Sequence, residues 1–150
     1  MRRSGPRHII GTTDRIDFPE FGLEDIRCKI DTGADSSALH CKDVKVVEKD
    51  GRMELQFRLL DPGHPQYRKR IFRTTDFSVK TIKNSFGLSE ERYVIKTRIR
   101  LFGVDFSTDV SLADRQRMSY PVLLGKRLLK KGFLIDVNQR DLSFQAKFPK

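Results

Sequence analysis

The chain has 150 residues, of which 37% are hydrophobic and 33% charged, so it suits one domain with a modest core and leaves little room for a second. Its formal net charge of +10 favours anionic partners, unless the cations only form a solvated surface. No apolar run is long enough to cross a bilayer. Two cysteines, Cys28 and Cys41, are too few for a disulfide framework, which makes a reducing cytoplasm the simplest setting.

The N-terminus is interpreted as a loose basic arm over residues 1–8. No apolar stretch follows it of the kind that a secretory signal needs. Neither a linker nor a repeat interrupts the remainder of the chain. We therefore expect residues 9–150 to form a single domain.

Short runs in which apolar and polar residues alternate dominate that domain, and this period of two predicts β-strands. In chain order, the alternating runs cover residues 26–30, 53–59, 93–101 and 104–112. The last two runs flank the turn Phe102-Gly103 and predict an antiparallel hairpin with one buried face. The pattern as a whole predicts a mostly β fold.

Helical signal is confined to one short segment near the C-terminus. Residues 126–131 follow Leu123-Leu124-Gly125, and Gly132 is placed to end a helix there. We expect closing strands after this helix, at residues 133–137 and 142–148.

The segment that departs from ordinary strand-and-turn sequence begins at Ile30, where an apolar strand runs into Asp31-Thr32-Gly33. Gly33 permits a sharp turn and the close approach of another backbone, and the Thr32 hydroxyl can hold a neighbouring strand end. The carboxylate of Asp31 would then lie on a rigid loop at the end of a strand. By itself, however, this tripeptide is more often a plain turn in which Asp bonds to its own backbone.

The longer string Asp31-Thr32-Gly33-Ala34-Asp35 resembles the active-site loop of retropepsins, the retroviral aspartic proteases. The segment 121–129 looks like a second motif of that family, the segment in which a buried strand runs under the catalytic loop into the C-terminal helix. Lys126 stands where retropepsins usually carry Arg, with Arg127 next to it. The resemblance covers residues 23–137 and implies an acid-protease fold, a closed β-barrel with one short C-terminal helix.

A closer resemblance is to small retropepsin-like proteins of bacteria and archaea. These are often labelled ATP-dependent zinc proteases, and some are encoded beside ATP-grasp ligases that add glutamates to proteins. The stretches that carry the resemblance are residues 29–34, 37–40, 79–80, 85–87, 92–97, 111–115 with Met118, and 123–125.

The zinc and ATP parts of that label find no support in the residues. The chain has no His-Glu-x-x-His motif and no phosphate-binding loop. Cys28, His40 and Cys41 could in principle converge, but they would make a poor tetrahedral site, and we interpret His40 and Cys41 as packing and hydrogen-bonding residues behind the loop. We therefore expect no metal ion and no cofactor.

The resemblance implies that Asp31, with Thr32 and Gly33, forms the catalytic group and that Ala34 and Asp35 contact substrate. Aspartic proteolysis needs two carboxylates that share one proton. The chain contains Asp-Thr-Gly once and Asp-Ser-Gly not at all, so the second carboxylate must come from another copy, which predicts a homodimer. Because Ala34 has no hydroxyl to donate to this pair, we expect the shared proton to be kept nearer neutral pH.

Retropepsins also close a glycine-bearing hairpin over the substrate. We expect Ser85, Phe86 and Gly87 at its tip, because the long strand that starts at Arg92 follows at once. The alternative tip is residues 61–65, whose two prolines favour a stiff surface loop instead.

Three functions remain open at this point. The first is a homodimeric aspartic peptidase acting on peptide or protein, with acidic segments favoured by the net charge and no membrane partner. The second is an inactive retropepsin-like module that binds or regulates a ribosomal or glutamate-ligase system. The third is a nucleic-acid-binding β-barrel, which ranks last because the Phe and Tyr residues fall mostly on the apolar strand faces.

Overall fold

The computed structural model describes residues 8–83, 86–114 and 119–149. Within them lie β1 (His8–Ile10), β2 (Thr13–Phe18), β3 (Leu23–Ile30), β4 (Ser37–Lys49), β5 (Arg52–Leu59), β6 (Phe72–Thr74), β7 (Ser78–Lys83), β8 (Ser89–Leu101), β9 (Val104–Ala113), β10 (Val122–Leu124) and β11 (Phe133–Ile135). The helices are α1 (Lys126–Leu129) and α2 (Leu142–Gln145), and Pro19–Phe21 forms a 3-10 turn. The prediction of a mostly β fold is confirmed. Over the same residues, no helix has the length and apolarity to span a membrane.

Six strands form a nearly closed ring in the order β10-β3-β2-β8-β9-β4, and β10 closes it by pairing with both β3 and β4. Strand β10 runs parallel to β3, with Leu124 opposite Ile30. Strands β5 and β6 extend the sheet beyond β4, and β7 pairs with the outer part of β8. The predicted retropepsin-like ring of strands is confirmed, and the end of β3 lies directly beside β10.

The predicted hairpin is confirmed as β8 and β9, which pair without interruption from Tyr93↔Leu112 to Leu101↔Val104. Both residues of the turn have positive φ, 53° at Phe102 and 71° at Gly103, as a tight two-residue hairpin turn requires. Apolar positions of the alternating pattern face the interior of the ring, which buries Ile95, Ile99, Leu101, Val110 and Leu112 together with Phe18, Ile26, Leu39, Phe57, Leu124 and Leu128.

The C-terminal part of the chain agrees with the sequence in one half and differs in the other. Helix α1 and strand β11 lie inside the segments predicted for them, and β11 pairs in parallel with β1. The strand predicted for residues 142–148 is wrong, since helix α2 begins there. Apolar residues at 142, 144 and 148 imitate a strand pattern, but the backbone around them is held in another way.

The carboxylate of Asp14, on β2, accounts for this helix. It accepts hydrogen bonds from the N–H groups of Ser143 at 2.9 Å and Phe144 at 3.0 Å, which satisfies donors that the first turn of a helix leaves free. Burial raises the pKa of Asp14 above its usual value, and backbone hydrogen bonds offset this only in part. The acceptor lies 129 residues from Ser143 in the sequence, so local pattern alone could not reveal the helix.

Candidate active site

Asp31 follows β3 directly, and neighbouring backbone fixes its main chain. The Asp31 N–H donates to the carbonyl of Leu124 on β10 at 2.9 Å, and the Ile30 N–H donates to the carbonyl of Thr12 at 2.9 Å. The Asp31 carbonyl in turn accepts a hydrogen bond from the Ala34 N–H at 3.3 Å. The loop therefore leaves the strand in one defined direction.

Gly125 packs against the underside of this loop. A Cβ atom at position 125 would lie 2.6 Å from the Ser36 carbonyl oxygen and 2.9 Å from that of Ala34, too close for any other residue. The Gly125 N–H donates to the buried hydroxyl of Ser37 at 3.1 Å, and the Lys126 N–H donates to the Ala34 carbonyl at 2.8 Å. The two segments that carry the resemblance are thus in direct backbone contact.

Arg127, rather than Lys126, forms the ion pair with the loop. Its Nε lies 3.3 Å from Asp35 Oδ2 and its Nη1 lies 3.6 Å from Asp109 Oδ2. The Arg127 N–H also donates to the Asp35 carbonyl at 3.0 Å. These side chains are half-exposed, so the charge contribution is about 1 kcal/mol or less, and the main-chain bond determines the position. The guanidinium that contacts Asp35 therefore belongs to Arg127, one residue after the position at which the resemblance leads us to expect an Arg.

The carboxylate of Asp31, in contrast, is hardly used by the fold. Among the described residues it accepts one hydrogen bond, from the Gly33 N–H to Oδ1 at 2.8 Å. Asp31 is half-buried, while Thr32 and Gly33 are exposed. Donors of the described residues therefore leave most of its lone pairs to be satisfied by a water molecule, a ligand or a second chain.

A cleft of about 490 Å³ opens beside the loop, between Ala34 and Asp35 on one wall and the β7–β8 hairpin on the other. Lys80 and Arg92 line the hairpin wall and stand directly opposite each other in the strand register. Like charges opposite each other destabilise a sheet. The Arg92 Nε lies 3.5 Å from Glu90 Oε1, which offsets part of the repulsion, and an anion bound beside Lys80 would offset more of it. The Lys80 Nζ also lies 3.5 Å from the Ser36 hydroxyl.

Sequence reasoning missed Lys80 and Arg92 as site residues. Both lie in stretches that carry the family resemblance, so a signal for them existed. Their proximity, however, depends on the register of β7 against β8, and the sequence around β7 does not fix that register because it lacks a clean alternation.

The residues expected at the hairpin tip lie only partly in the described structure. Ser85 is outside the described residues. Phe86 and Gly87 lie between β7 and β8, where Phe86 is 86% exposed and Gly87 has a left-handed φ of 80°. Neither of them lines the cleft, which the hairpin instead reaches through its strands. The alternative segment 61–65 is a turn after β5, in which the His64 N–H donates to the Asp61 carbonyl at 2.8 Å.

The residues considered for zinc lie inside the fold. Burial raises the pKa of the Cys28 thiol well above its usual value and that of Cys41 to about 12. His40 is buried with its Nε2 2.8 Å from Asp61 Oδ1. Burial acts to raise the pKa of Asp61, but the hydrogen bond and charge of His40, helped by Lys42, hold that pKa below its usual value.

Across residues 8–83, 86–114 and 119–149, no three His, Cys, Asp or Glu side chains converge as metal ligands. High-pKa buried thiols are also poor ligands, because metal binding needs the thiolate. The described residues therefore do not fit the zinc label.

Two curated relatives match nearly the whole chain. A "Probable alpha-L-glutamate ligase" from Shewanella pealeana is 32% identical over 140 residues, which are 91% of this chain and 30% of the relative. One from Desulfotalea psychrophila, with the same name, is 30% identical over 140 residues, or 91% of this chain and 29% of the relative. The chain thus spans about 30% of the length of the curated relatives it matches.

A solved structure and a family profile complete the comparison. The crystal structure of a protein of unknown function from Legionella pneumophila matches with a TM-score of 0.70 and 23% identity, covering 91% of this chain and 98% of that one. This likeness supports the fold. The profile described as "Retropepsin-like aspartic endopeptidase RimB" matches residues 9–145. The chain therefore belongs to the RimB-like family of retropepsin-like proteins.

Proposed function

We propose that the chain is an aspartic peptidase that acts as a homodimer, with Asp31 of each copy in a shared active site. One observation carries this proposal. The main chain of Asp31 is held by Leu124, while its carboxylate accepts a single hydrogen bond among the described residues, from Gly33. Asp31 does not itself line the cleft, but Ala34 and Asp35 of the same loop do. A rigidly placed and otherwise unused carboxylate in such a loop has the properties of a catalytic group.

In this mechanism the two Asp31 carboxylates share one proton. The ionised member accepts a proton from a water molecule as the water attacks the scissile carbonyl carbon. The protonated member donates a hydrogen bond to the carbonyl oxygen, on which negative charge develops. The tetrahedral intermediate then collapses: the C–N bond breaks, and the carboxyl that took the proton from water gives it to the departing amine. Like charges that close together cannot both ionise cheaply, so the proton belongs to the pair.

Ala34 is proposed to set the working pH of that pair. A Ser hydroxyl at this position would donate a hydrogen bond to the ionised form and favour it, whereas Ala cannot. We therefore expect the rate to be greatest nearer neutral pH than strong acid. In an Ala34→Ser variant, the limb of the pH–rate profile that reports this pair should move to lower pH, and an unmoved limb would contradict this role.

Acidic segments are the proposed substrates, because Lys80 and Arg92 lie side by side on the hairpin wall of the cleft. Lys80→Gln and Arg92→Gln should each lower kcat/KM for a Glu-rich peptide about tenfold and leave a neutral peptide within about twofold. Lys130→Gln, on an exposed side chain after α1, is the matched control. Equal losses for acidic and neutral peptides would remove this preference.

The decisive experiment compares wild type with Asp31→Asn in a peptide-library digestion, with the mass of both measured by sedimentation. Asp50→Asn is the matched control, since Asp50 lies in the β4–β5 turn at a φ of 53° that Asn also tolerates. We expect a dimer in all three proteins and loss of cleavage only in Asp31→Asn. Equal cleavage by all three would exclude Asp31 as the catalytic group.

Mixing wild type with Asp31→Asn tests whether the site is shared between copies. If both carboxylates are needed, random exchange in an equal mixture leaves active only the wild-type pairs, about a quarter of the dimers. A separate site in each monomer would instead leave about half of the activity.

The same proposal includes four further expectations. Ala34 and Asp35 contact the substrate, and a hairpin with Ser85, Phe86 and Gly87 at its tip closes over it. The chain consists of an N-terminal arm and one domain, and the protein works in the cytoplasm.

A second candidate is a non-catalytic module that works with a glutamate ligase. The observation that favours it is the match to relatives named probable alpha-L-glutamate ligase, in which this chain corresponds to less than a third of the length. In that case, adding the chain to such a ligase should change ligation equally for wild type and Asp31→Asn. An effect that needs Asp31 would favour the peptidase.

A further inference from the structure

A second groove, of about 780 Å³, lies away from the Asp31 loop on another part of the ring. The middle of β8, at Ile95 to Thr97, forms one wall, and the segment around β6 forms the other. The groove shares no lining residue with the cleft beside Asp31. Nothing in the proposed peptide hydrolysis uses it.

The groove exists because the outer edge of β8 is left uncovered over a few residues. Strand β7 pairs with β8 as far as Val94, and β2 pairs with it only at Arg100. The 3-10 turn at Pro19–Phe21 ends β2 and leads it away before it can continue along β8. Between these two contacts, β8 pairs with β9, and no other strand of the described residues pairs with it.

Lys96 directs its main-chain groups into this gap. The Arg98 N–H donates to Glu20 Oε1 at 2.9 Å and so points away from β9. In an antiparallel ladder the direction of these groups repeats every second residue, so the N–H and carbonyl of Lys96 point the same way. Within the described residues, neither of them has a main-chain partner on that side. The Glu20 carboxylate already shows which chemical group can satisfy this edge.

Cations surround the open edge. Lys69, Arg70, Arg73 and Lys96 line the groove, against two acids, Glu20 and Asp76. Glu20 forms an ion pair with Arg98, and the Arg73 Nε lies 3.6 Å from Glu54 Oε1. No ion pair joins Lys69, Arg70 or Lys96 to an acid in the described structure. The groove therefore has a net positive charge that an anionic occupant would neutralise.

The floor of the groove is aromatic but offers little free ring surface. Phe72 stacks with Phe57 at a centroid distance of 5.8 Å and carries the Arg70 guanidinium 4.7 Å over its ring. Phe21 packs edge-on against Phe72 at 5.1 Å. Nucleobase binding needs exposed aromatic faces, so rings that are already covered by their neighbours argue against a base as the occupant.

We propose that this groove binds an extended acidic peptide segment, which pairs its main chain with Lys96 and places carboxylates against Lys69 and Arg70. Adding a strand to a bare sheet edge supplies affinity through the main chain, and alternate side chains supply specificity. One face of the added strand meets the aromatic floor, and the other presents its carboxylates to the cations. The groove is an anchoring site that does not depend on hydrolysis at Asp31.

The test measures fluorescence anisotropy of a labelled peptide in which Glu and Val alternate. The protein carries Asp31→Asn, Lys80→Gln and Arg92→Gln throughout, so that the probe stays intact and does not bind the cleft beside the Asp31 loop. Lys69→Glu, Arg70→Glu and Lys96→Glu should each weaken binding about tenfold or more. Lys130→Glu and Lys131→Glu make the same charge change on exposed residues outside the groove and should weaken it less than about threefold. Equal losses in both sets would show general charge attraction and overturn the proposal.

Two further probes address the remaining parts of the proposal. A peptide methylated on the backbone nitrogens that would face β8 should bind about tenfold more weakly, and unchanged binding would overturn the strand pairing. A uridine-rich RNA that binds more tightly than the peptide, and loses affinity in the groove variants, would assign the groove to nucleic acid instead. Unfolding midpoints measured for every variant keep loss of fold separate from loss of binding.

Discussion

Two aspartates, Asp14 on β2 and Asp31 just after the neighbouring strand β3, make opposite kinds of contact with the fold. Asp14 on β2 is 1% exposed, and its carboxylate accepts hydrogen bonds from two N–H groups of α2 and from that of Arg15. Asp31, after β3, is half-buried and accepts one such bond among the described residues, from Gly33. The side chain of Asp14 stabilises α2 through hydrogen bonds. At Asp31, neighbouring backbone fixes the main chain, and the side chain makes few contacts.

The difference gives a criterion for separating a structural acid from a reactive one. A structural acid uses its lone pairs on nearby donors, and losing it leaves those donors unsatisfied. A reactive acid needs a fixed position but free lone pairs, so the stabilising contacts must be made by its backbone and by its neighbours. The predictions below test each half of this contrast, starting with the largest expected change in stability.

Gly125→Ala should break the support of the Asp31 loop. The added Cβ would meet backbone atoms of Ser36 and Ala34 below 3.0 Å, so the loop or β10 must shift, and we expect a loss of about 3 kcal/mol or more in the free energy of unfolding. Urea denaturation measures it. Gly63→Ala is the matched control, because its Cβ would have open space, and a similar loss in both would contradict the close approach.

Asp14→Ala should cost about 1–3 kcal/mol in the free energy of unfolding, because buried N–H groups of Ser143 and Phe144 lose their acceptor. The helical signal of α2 should weaken in the same variant. Glu48→Ala, an exposed acid at the far end of β4, should change stability by less than about 0.5 kcal/mol. Equal stability of the two variants would mean that Asp14 does not hold α2.

The pH dependence of Asp14 has a definite sign. Burial raises its folded-state pKa above the ordinary value of 3.8, so in the window just above 3.8 the folded chain binds more protons than the unfolded chain. Its contribution to stability is therefore complete below that ordinary value and is lost as the pH rises through the folded-state pKa. The stability of wild type relative to Asp14→Asn should fall over that window. A rise in that relative stability would contradict a raised pKa of Asp14.

Asp31→Asn should have the smallest effect on folding. Asn retains an oxygen for the Gly33 N–H, and no other donor in the described structure depends on the carboxylate. We expect a change of less than about 0.5 kcal/mol in the free energy of unfolding, although the proposed activity is lost. A loss as large as that of Asp14→Ala would erase the contrast between the two acids.

Strong local patterns explain which parts of the fold could be predicted. The alternation in residues 93–112 and the turn Phe102-Gly103 predict β8 and β9, since each residue's side of the strand follows from the period of two. Residues 126–131 predict helix α1 because Gly132 is placed to end it. The contact of the Asp31 loop with Gly125 was expected from family resemblance, because no local pattern links residues 88 positions apart such as Ser37 and Gly125.

Parts of the fold that depend on distant partners could not be predicted. Helix α2 is decided by Asp14, on the far side of the sequence, while its own residues imitate a strand. The opposition of Lys80 and Arg92 depends on strand register. That Arg127, and not Lys126, contacts Asp35 could be learned only from the observed distance between them. Geometry between remote residues overrode the local interpretation at α2, and at the other two places it supplied contacts that no local pattern specifies.

The closing of the ring by β10 has a consequence for how the protein is made. A chain emerges from synthesis with its N-terminus first, so Asp31 appears long before Leu124 and Gly125, which support it. Contacts of such large sequence separation form late, because the entropy of closing the intervening loop must be overcome first. A growing chain that has not reached Val122 carries the aspartate without its support from Leu124 and Gly125, so the proposed peptidase could cut nothing before β10 had been made.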